Sequence, residues 1–199
     1  ARKQKDSLQS VDAILAGSQT TKDAVLKATT SPPPIEVIPT GAYLQDYPRP
    51  PHFIDHVPHA GHEQIQQLDN EQNPLAIAVA GDIDQKSDIF SLTDLARGLS
   101  DKNINAVFHV VGGGRWMPRL ETAAPLLTGT CSIRCHGRVD RTRYVGILSE
   151  CHAALVLPGR LNHFPLPVET SDYAAAGLVL LLTHNGELAD LVLGAHAGV

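Results

Sequence analysis

The chain reads as an α/β protein: a doubly wound, mostly parallel sheet running from Leu75 to the C-terminus. Three observations predict it. From Leu75 onward, short apolar runs alternate with amphipathic stretches of about 10–15 residues, the pattern of right-handed strand–helix–strand crossovers. The apolar runs are near-continuous, as strands covered on both faces require. Turn residues close several of them, at Gly81, Gly112–Gly114 and Pro158-Gly159.

The elements follow in order. Asp12–Ser18 is a short apolar strand, and Gln19–Ala28 is helical, with Ala24, Val25 and Ala28 at helical spacing and Ser18 as N-cap. Pro32, Pro33 and Pro34 stop that helix, because proline can neither continue it nor leave the preceding residue helical. Ile35–Ile38 is a second short strand. The strands Leu75–Ala80, Ala106–Val111, Thr130–Cys135, Ala153–Leu157 and Leu178–Leu182 then alternate with helices. Those helices cover Asp88–Leu99, Trp116–Leu127, Asp140–Cys151, Val168–Ala176 and Gly186–Leu193. Ile89, Leu92, Leu95 and Leu99 share one face of the first. Pro118 sits in the first turn of the second, where its missing N–H is harmless. Asp140 suits a cap, and Gly177 closes the helix before it.

This order divides the chain into residues 1–45, the end of a first α/β domain; 46–73, a linker; and 74–199, a second α/β domain that is incomplete at its C-terminal end. Pro48, Pro50, Pro51 and Pro58 mark the linker. His52, His56, His59 and His62 fall within it at intervals of four, three and three, but Pro58 and Gly61 break the helix they would need to share a metal. No metal site is expected there. Cys131, Cys135-His136 and Cys151-His152 could be sorted into a zinc site, but Cys131, Ile133 and Cys135 alternate as one buried face of a strand does.

Composition narrows the function classes. The 199 residues include 16 Lys+Arg and 21 Asp+Glu, a formal net charge of −5, with 43% hydrophobic and 19% charged residues. That is too apolar for disorder and too acidic for a protein that coats nucleic acid. At about 100–200 residues per domain the length allows one domain, or one and part of another. The longest apolar run, Ala174–Leu182, is about half of the roughly 20 residues a membrane helix needs. Three cysteines, an odd number, and no secretory leader argue against a disulfide framework and for a cytoplasmic location. Ala1–Ser7 already resembles the flank of a helix, so a fragment or processed chain is expected.

Ligands of open α/β sheets bind at the carboxyl ends of the strands. That rim gathers Gly81–Lys86, Gly112–Arg115, Gly137–Arg138, Pro158–Val168 and Thr183–Gly186. The turn Gly112, Gly113, Gly114 and Arg115 could hold an anion on its backbone N–H groups, or could simply be a tight turn. Lys86 could supply a compact positive charge for phosphate. Asp172, on the helix that starts beside the rim, could accept two hydrogen bonds from a sugar diol.

In sequence order these pieces resemble the C-terminal half of a GT-B-fold glycosyltransferase of the retaining, family-4-like group. Leu166-Pro-Val-Glu-Thr-Ser-Asp-Tyr-Ala-Ala-Ala-Gly177 resembles the family's L-P-x-K-x-x-E-Y-x-A-A-G segment. Val110–Gly114 resembles I-V-G-x-G, and Cys135–Val139 followed by Ala153–Pro158 resembles F-x-G-x-V and A-D-x-x-x-x-P. Near the front, Asp12–Lys22 resembles A-D-x-I-x-x-S-x-x-T-K, and Glu36–Gly41 resembles V-x-V-I-P-N-G. The resemblance implies two Rossmann-like domains around a nucleotide-sugar cleft, with transfer of a sugar to an acceptor hydroxyl, hexosyltransferase-like and with retention. It implies a donor site comprising Lys86 on the diphosphate, Asp172 on the ribose, and Gly112, Gly113, Gly114, Arg115, Arg138, Pro167 and Val168 around them. It assigns no catalytic residue, metal or cofactor beyond the donor, and it leaves the acceptor open, with a peripheral membrane or protein partner allowed. One domain by itself walls only half a cleft, so this piece alone is expected to be inactive.

Departures from the family pattern raise a second reading. Asp82 stands where an arginine is usual, and Phe164 where a glutamate is usual, with Asn162 and His163 as neighbours. Asp172 is one methylene shorter than the family's Glu. A catalytically degenerate GT-B-like module that supports a partner glycosyltransferase would show such changes. A nucleotide-sugar epimerase of related fold is a third reading.

Overall fold

The computed structural model describes residues 11–29, 31–39, 41–47, 74–84, 86–157, 166–182 and 186–199. The histidine-rich stretch 52–62, Phe164 with its neighbours Asn162 and His163, and all of the linker beyond Tyr47 lie outside the described residues.

Two parallel sheets form. In the smaller, β1 (Ile14–Ala16) pairs with β2 (Ile35–Val37), and α1 (Gln19–Ala28) connects them. The Ser18 hydroxyl accepts a hydrogen bond from the Thr21 N–H at 3.0 Å, the cap read from the sequence, and such a cap is worth roughly 0.5–2 kcal/mol. A single-turn 3₁₀ segment, Leu44–Asp46, follows.

The larger sheet has five strands: β3 (Leu75–Ala80), β4 (Ala106–Val111), β5 (Ser132–Gly137), β6 (Ala153–Leu155) and β7 (Val179–Leu181). Their spatial order is β5-β4-β3-β6-β7, all pairs parallel. The connecting helices are α2 (Lys86–Asp101), α3 (Met117–Ala123), α4 (Arg141–Ser149) and α5 (Glu169–Ala175), with α6 (Glu187–Gly194) after β7. The chain starts in the middle, builds outward to β5, then crosses to β6 on the other side of β3. The direction of winding therefore reverses between β3 and β6, and a crevice opens at their carboxyl ends.

Side chains alternate across β3 and sort the core into two layers. Ile77 and Val79 join Phe108, Val110 and Ile133 beneath α2 and α3, through Ile89, Leu92, Met117 and Leu120. Ala76, Ala78 and Ala80 face the other way, toward Val145 and Leu148 of α4, Tyr173 of α5 and Leu188 and Val192 of α6. Small residues on that face let the helices approach. Burying each large aliphatic or aromatic side chain contributes about 1.5–3 kcal/mol, offsetting the ordering entropy of the segment.

Three local features differ from the sequence reading. The helix expected over Trp116–Leu127 is α3 followed by a 3₁₀ turn, Ala124–Leu126, because Pro125 has no N–H for a continuing α-helix. Strand β5 extends to Gly137 with a bulge at His136. After α6 the chain returns alongside β7, where the Leu180 N–H donates to the Ala197 carbonyl and the Leu182 N–H to the Val199 carbonyl. Cys131 and Cys151 are buried, with thiols donating to the carbonyls of Ile104 and Ile147. Among the described residues, no three His, Cys, Asp or Glu side chains converge as a metal would need, and no helix is long and apolar enough to cross a membrane.

Candidate functional site

Two carboxylates on the rim of the large sheet organise separate clusters. The first lies after β3 and β4. The segments 81–84 and 111–116 run side by side, joined by backbone bonds from Gly81 to Val111, Ile83 to Gly113 and Trp116 to Ile83, each 2.8 Å. That closeness explains two of the three glycines. A Cβ on Gly112 would overlap the Gly81 carbonyl, and one on Gly114 would meet Ile83 backbone atoms at 2.6 Å; both residues have positive φ. The turn is thus a continuation of the β3–β4 pairing beyond the strands.

Its outward N–H groups are taken by carboxylates of the chain. Gly113 donates to Asp82 Oδ1 and Arg115 donates to Asp84 Oδ1, both at 2.9 Å. Arg138 Nη2 donates to Asp82 Oδ2 at 2.6 Å. The Arg138 side chain lies across Gly113, where a Cβ would fall 2.5 Å from Nε. Gly113, Arg138 and the unexpected Asp82 are therefore one unit. Lys86 opens α2 beside this turn, and its side chain lies outside the described residues.

The second cluster surrounds Asp172 in the first turn of α5. Tyr173, next in sequence, is buried and its hydroxyl accepts the Ala80 N–H at 2.6 Å, tying α5 to the end of β3 beside the crevice. Pro167 is buried at the foot of α5 and its carbonyl accepts from Thr170, while Val168 is exposed. Asp172 Oδ1 accepts from the Tyr47 hydroxyl at 2.6 Å and from Arg141 Nη1 at 3.0 Å. Arg141 Nε also reaches Asp46 Oδ2 at 3.2 Å, and its guanidinium lies over the Tyr47 ring, 5.2 Å from the centroid. Both hydrogen bonds fall on Oδ1; among the described residues Oδ2 accepts none. Burial and the Asp172 carboxylate both raise the pKa of Tyr47. Tyr144, over which Arg141 also lies, is shifted the same way, chiefly by burial. Both phenols stay protonated. Burial alone would lower the pKa of Arg141, but its bonds to Asp172 outweigh that and raise it.

Sequence reasoning missed Tyr47, Asp46, Asp84 and Arg141 as members of these clusters. Arg141 had one signal, its place directly after the Asp140 cap, whose side chain accepts the Arg143 N–H at 2.8 Å and starts α4 at the rim. A third polar feature was also unread. His109, buried in mid-β4, stacks on His136 of the bulge, with Nδ1 and Nε2 3.1 Å apart and centroids at 5.2 Å. Burial, first, and positive neighbours lower both imidazole pKa values.

No protein-family model matches the chain, and no curated protein matches it in sequence. Solved structures do resemble it. Sucrose-phosphate synthase from Thermosynechococcus elongatus superposes with a TM-score of 0.69 at 16% identity, over 98% of this chain and 46% of that one. OtsA in its apo form gives 0.61 at 15% identity, over 94% and 49%. A variant of S. aureus TarM in complex with UDP, fondaparinux and an α-GlcNAc-glycerol gives 0.59 at 9% identity, over 88% and 30%. The chain thus spans between 30% and 49% of the length of these structures. At such identities the likeness concerns the fold: a five-stranded parallel sheet flanked by helices, the Rossmann-like architecture of GT-B glycosyltransferases.

Proposed function

We propose that the chain is the donor-binding portion of a glycosyltransferase that moves a sugar from a nucleotide-diphosphate sugar to an acceptor hydroxyl, with retention at the transferred carbon. The observation that carries this reading is the state of Asp172 beside the β3–β6 crevice: Oδ1 is anchored by Tyr47 and Arg141, and among the described residues Oδ2 accepts no hydrogen bond. A carboxylate held that way can take a ribose hydroxyl without reorganising. In this reading Lys86 and Arg138 face the diphosphate, whose negative charge grows as it leaves, and fixed cations there stabilise the transition state. Gly112, Gly113, Gly114 and Arg115 shape the wall, and Pro167 and Val168 form the edge facing the nucleoside. The reading calls for no further cofactor and leaves the acceptor to the part of the cleft that other residues build.

A second reading is favoured by one feature. The Asp82 carboxylate sits against the Gly113 N–H and Arg138, the donors a phosphate would use, a blockage that suits a degenerate module supporting a partner enzyme. Calorimetric titration of the full-length protein with a panel of nucleoside diphosphates separates the two. Saturable binding of one of them, followed by transfer from its sugar conjugate, supports the enzyme. No binding across the panel supports the degenerate module.

A further inference from the structure

We infer that Asp82 is an internal anion seated on the phosphate-facing wall of the proposed donor site, and that a bound nucleoside diphosphate must displace it; this rests on the donor-binding reading above. Backbone N–H groups of glycine-rich turns and guanidinium groups are two kinds of donor that hold a phosphoryl group. Asp82 has one of each: Oδ1 takes the Gly113 N–H at 2.9 Å and Oδ2 takes Arg138 Nη2 at 2.6 Å. A carboxylate presents two oxygens on one centre, as a phosphate edge does, and so satisfies the same pair of donors with a single charge. While it stays, Arg138 is neutralised and the N–H is occupied. An arriving diphosphate meets a negative charge where the site would otherwise offer positive charge.

Displacement does not require the loop to open. The backbone bonds from Gly81, Ile83 and Trp116 hold segments 81–84 and 111–116 together independently of the Asp82 side chain. Asp84 keeps the Arg115 N–H on its own. The Asp82 side chain is 39% exposed and that of Arg138 is 72% exposed, so water screens their pairing. The arrangement is an autoinhibitory contact. It lowers affinity for the diphosphate without removing the groups that bind it, and it reserves Arg138 for a ligand charged strongly enough to outcompete a carboxylate.

The test is calorimetric titration of the full-length protein with UDP and, separately, with inorganic pyrophosphate, in EDTA, for the wild type, Asp82→Asn and Asp82→Asn/Arg138→Gln. Asp82→Asn keeps shape and acceptor while removing the charge. It should tighten both ligands by roughly fivefold or more, the fold-change for one unit-charge contact in water-like surroundings. It should also steepen the salt dependence as Arg138 is released, and the double variant should lose both gains. UDP binding that is unchanged or weaker in Asp82→Asn overturns the displacement model and leaves the donor reading standing. Failure of the wild type and of both variants to bind either ligand, or any nucleoside diphosphate of the panel above, overturns the donor reading, and the inference with it. Asp82→Ala repeats the comparison with no side-chain acceptor, and the same tightening is expected.

Discussion

Asp82 and Asp172 are both acidic residues on the rim of one parallel sheet, yet their oxygens are used differently. Asp82 divides its two oxygens between a backbone N–H and a guanidinium, and so completes a contact between two loops. Asp172 gathers a phenol and a guanidinium on one oxygen, and among the described residues nothing donates to the other. The first carboxylate is spent on the chain itself, whereas the second is oriented by the chain and retains capacity. A rim position and a negative charge therefore do not define a ligand site. What decides is how many of the carboxylate's acceptor positions the fold has already filled.

The comparison can be broken at several levels. The sheet beneath both clusters comes first. Phe108 is fully buried between β3 and β5, so Phe108→Ala should cost about 3–5 kcal/mol in denaturant unfolding and loosen both clusters together. A loss under about 1 kcal/mol would mean that Phe108 does not anchor the layer beneath α2 and α3.

The anchoring of Asp172 is next. Tyr47→Phe removes a hydrogen bond to a charged group and should cost about 1.5–3 kcal/mol before solvent screening, with Asp172 being partly buried. In a double-mutant cycle Tyr47→Phe and Arg141→Gln should be non-additive, since both donors share Oδ1. Strict additivity would show that they act on Asp172 separately.

The smallest effect concerns the histidine pair of β4 and β5. Both imidazoles have lowered pKa values in the folded state, so the unfolded chain binds protons first. Their contribution is complete above the unfolded histidine pKa of about 6.5 and is lost as pH falls toward the lower folded values. Urea midpoints should therefore drop between pH 7 and pH 5 more steeply in the wild type than in His109→Asn/His136→Asn. Equal slopes would remove the pair from the pH dependence.

Most of the fold was legible because its determinants are local. Strand–helix alternation, the Ser18 and Asp140 caps and the closing Gly177 each depend on residues within a few positions, and the structure has them where the sequence reading expected. The alternation of Cys131, Ile133 and Cys135 likewise marked the inward face of β5 and of the residue just before it. The clusters were not legible to the same extent. Arg141 and Asp172 are 31 positions apart, and Tyr47 and Asp172 are 125 apart, so no spacing rule joins them. The glycine turn shows the same limit. Three glycines announce close approach, but only the paired loops reveal that what approaches Gly112 and Gly114 is the backbone of Gly81 and Ile83.

The measurement that bears most directly on the donor-binding account is the ratio of UDP to 2′-deoxy-UDP affinity in the wild type and in Asp172→Asn. The account predicts that the wild type prefers the ribonucleotide, because Asp172 accepts from the ribose. It predicts that Asp172→Asn weakens UDP more than 2′-deoxy-UDP, so that most of the preference disappears. An unchanged ratio in Asp172→Asn would contradict it and leave Asp172 as a structural partner of Tyr47 and Arg141 alone.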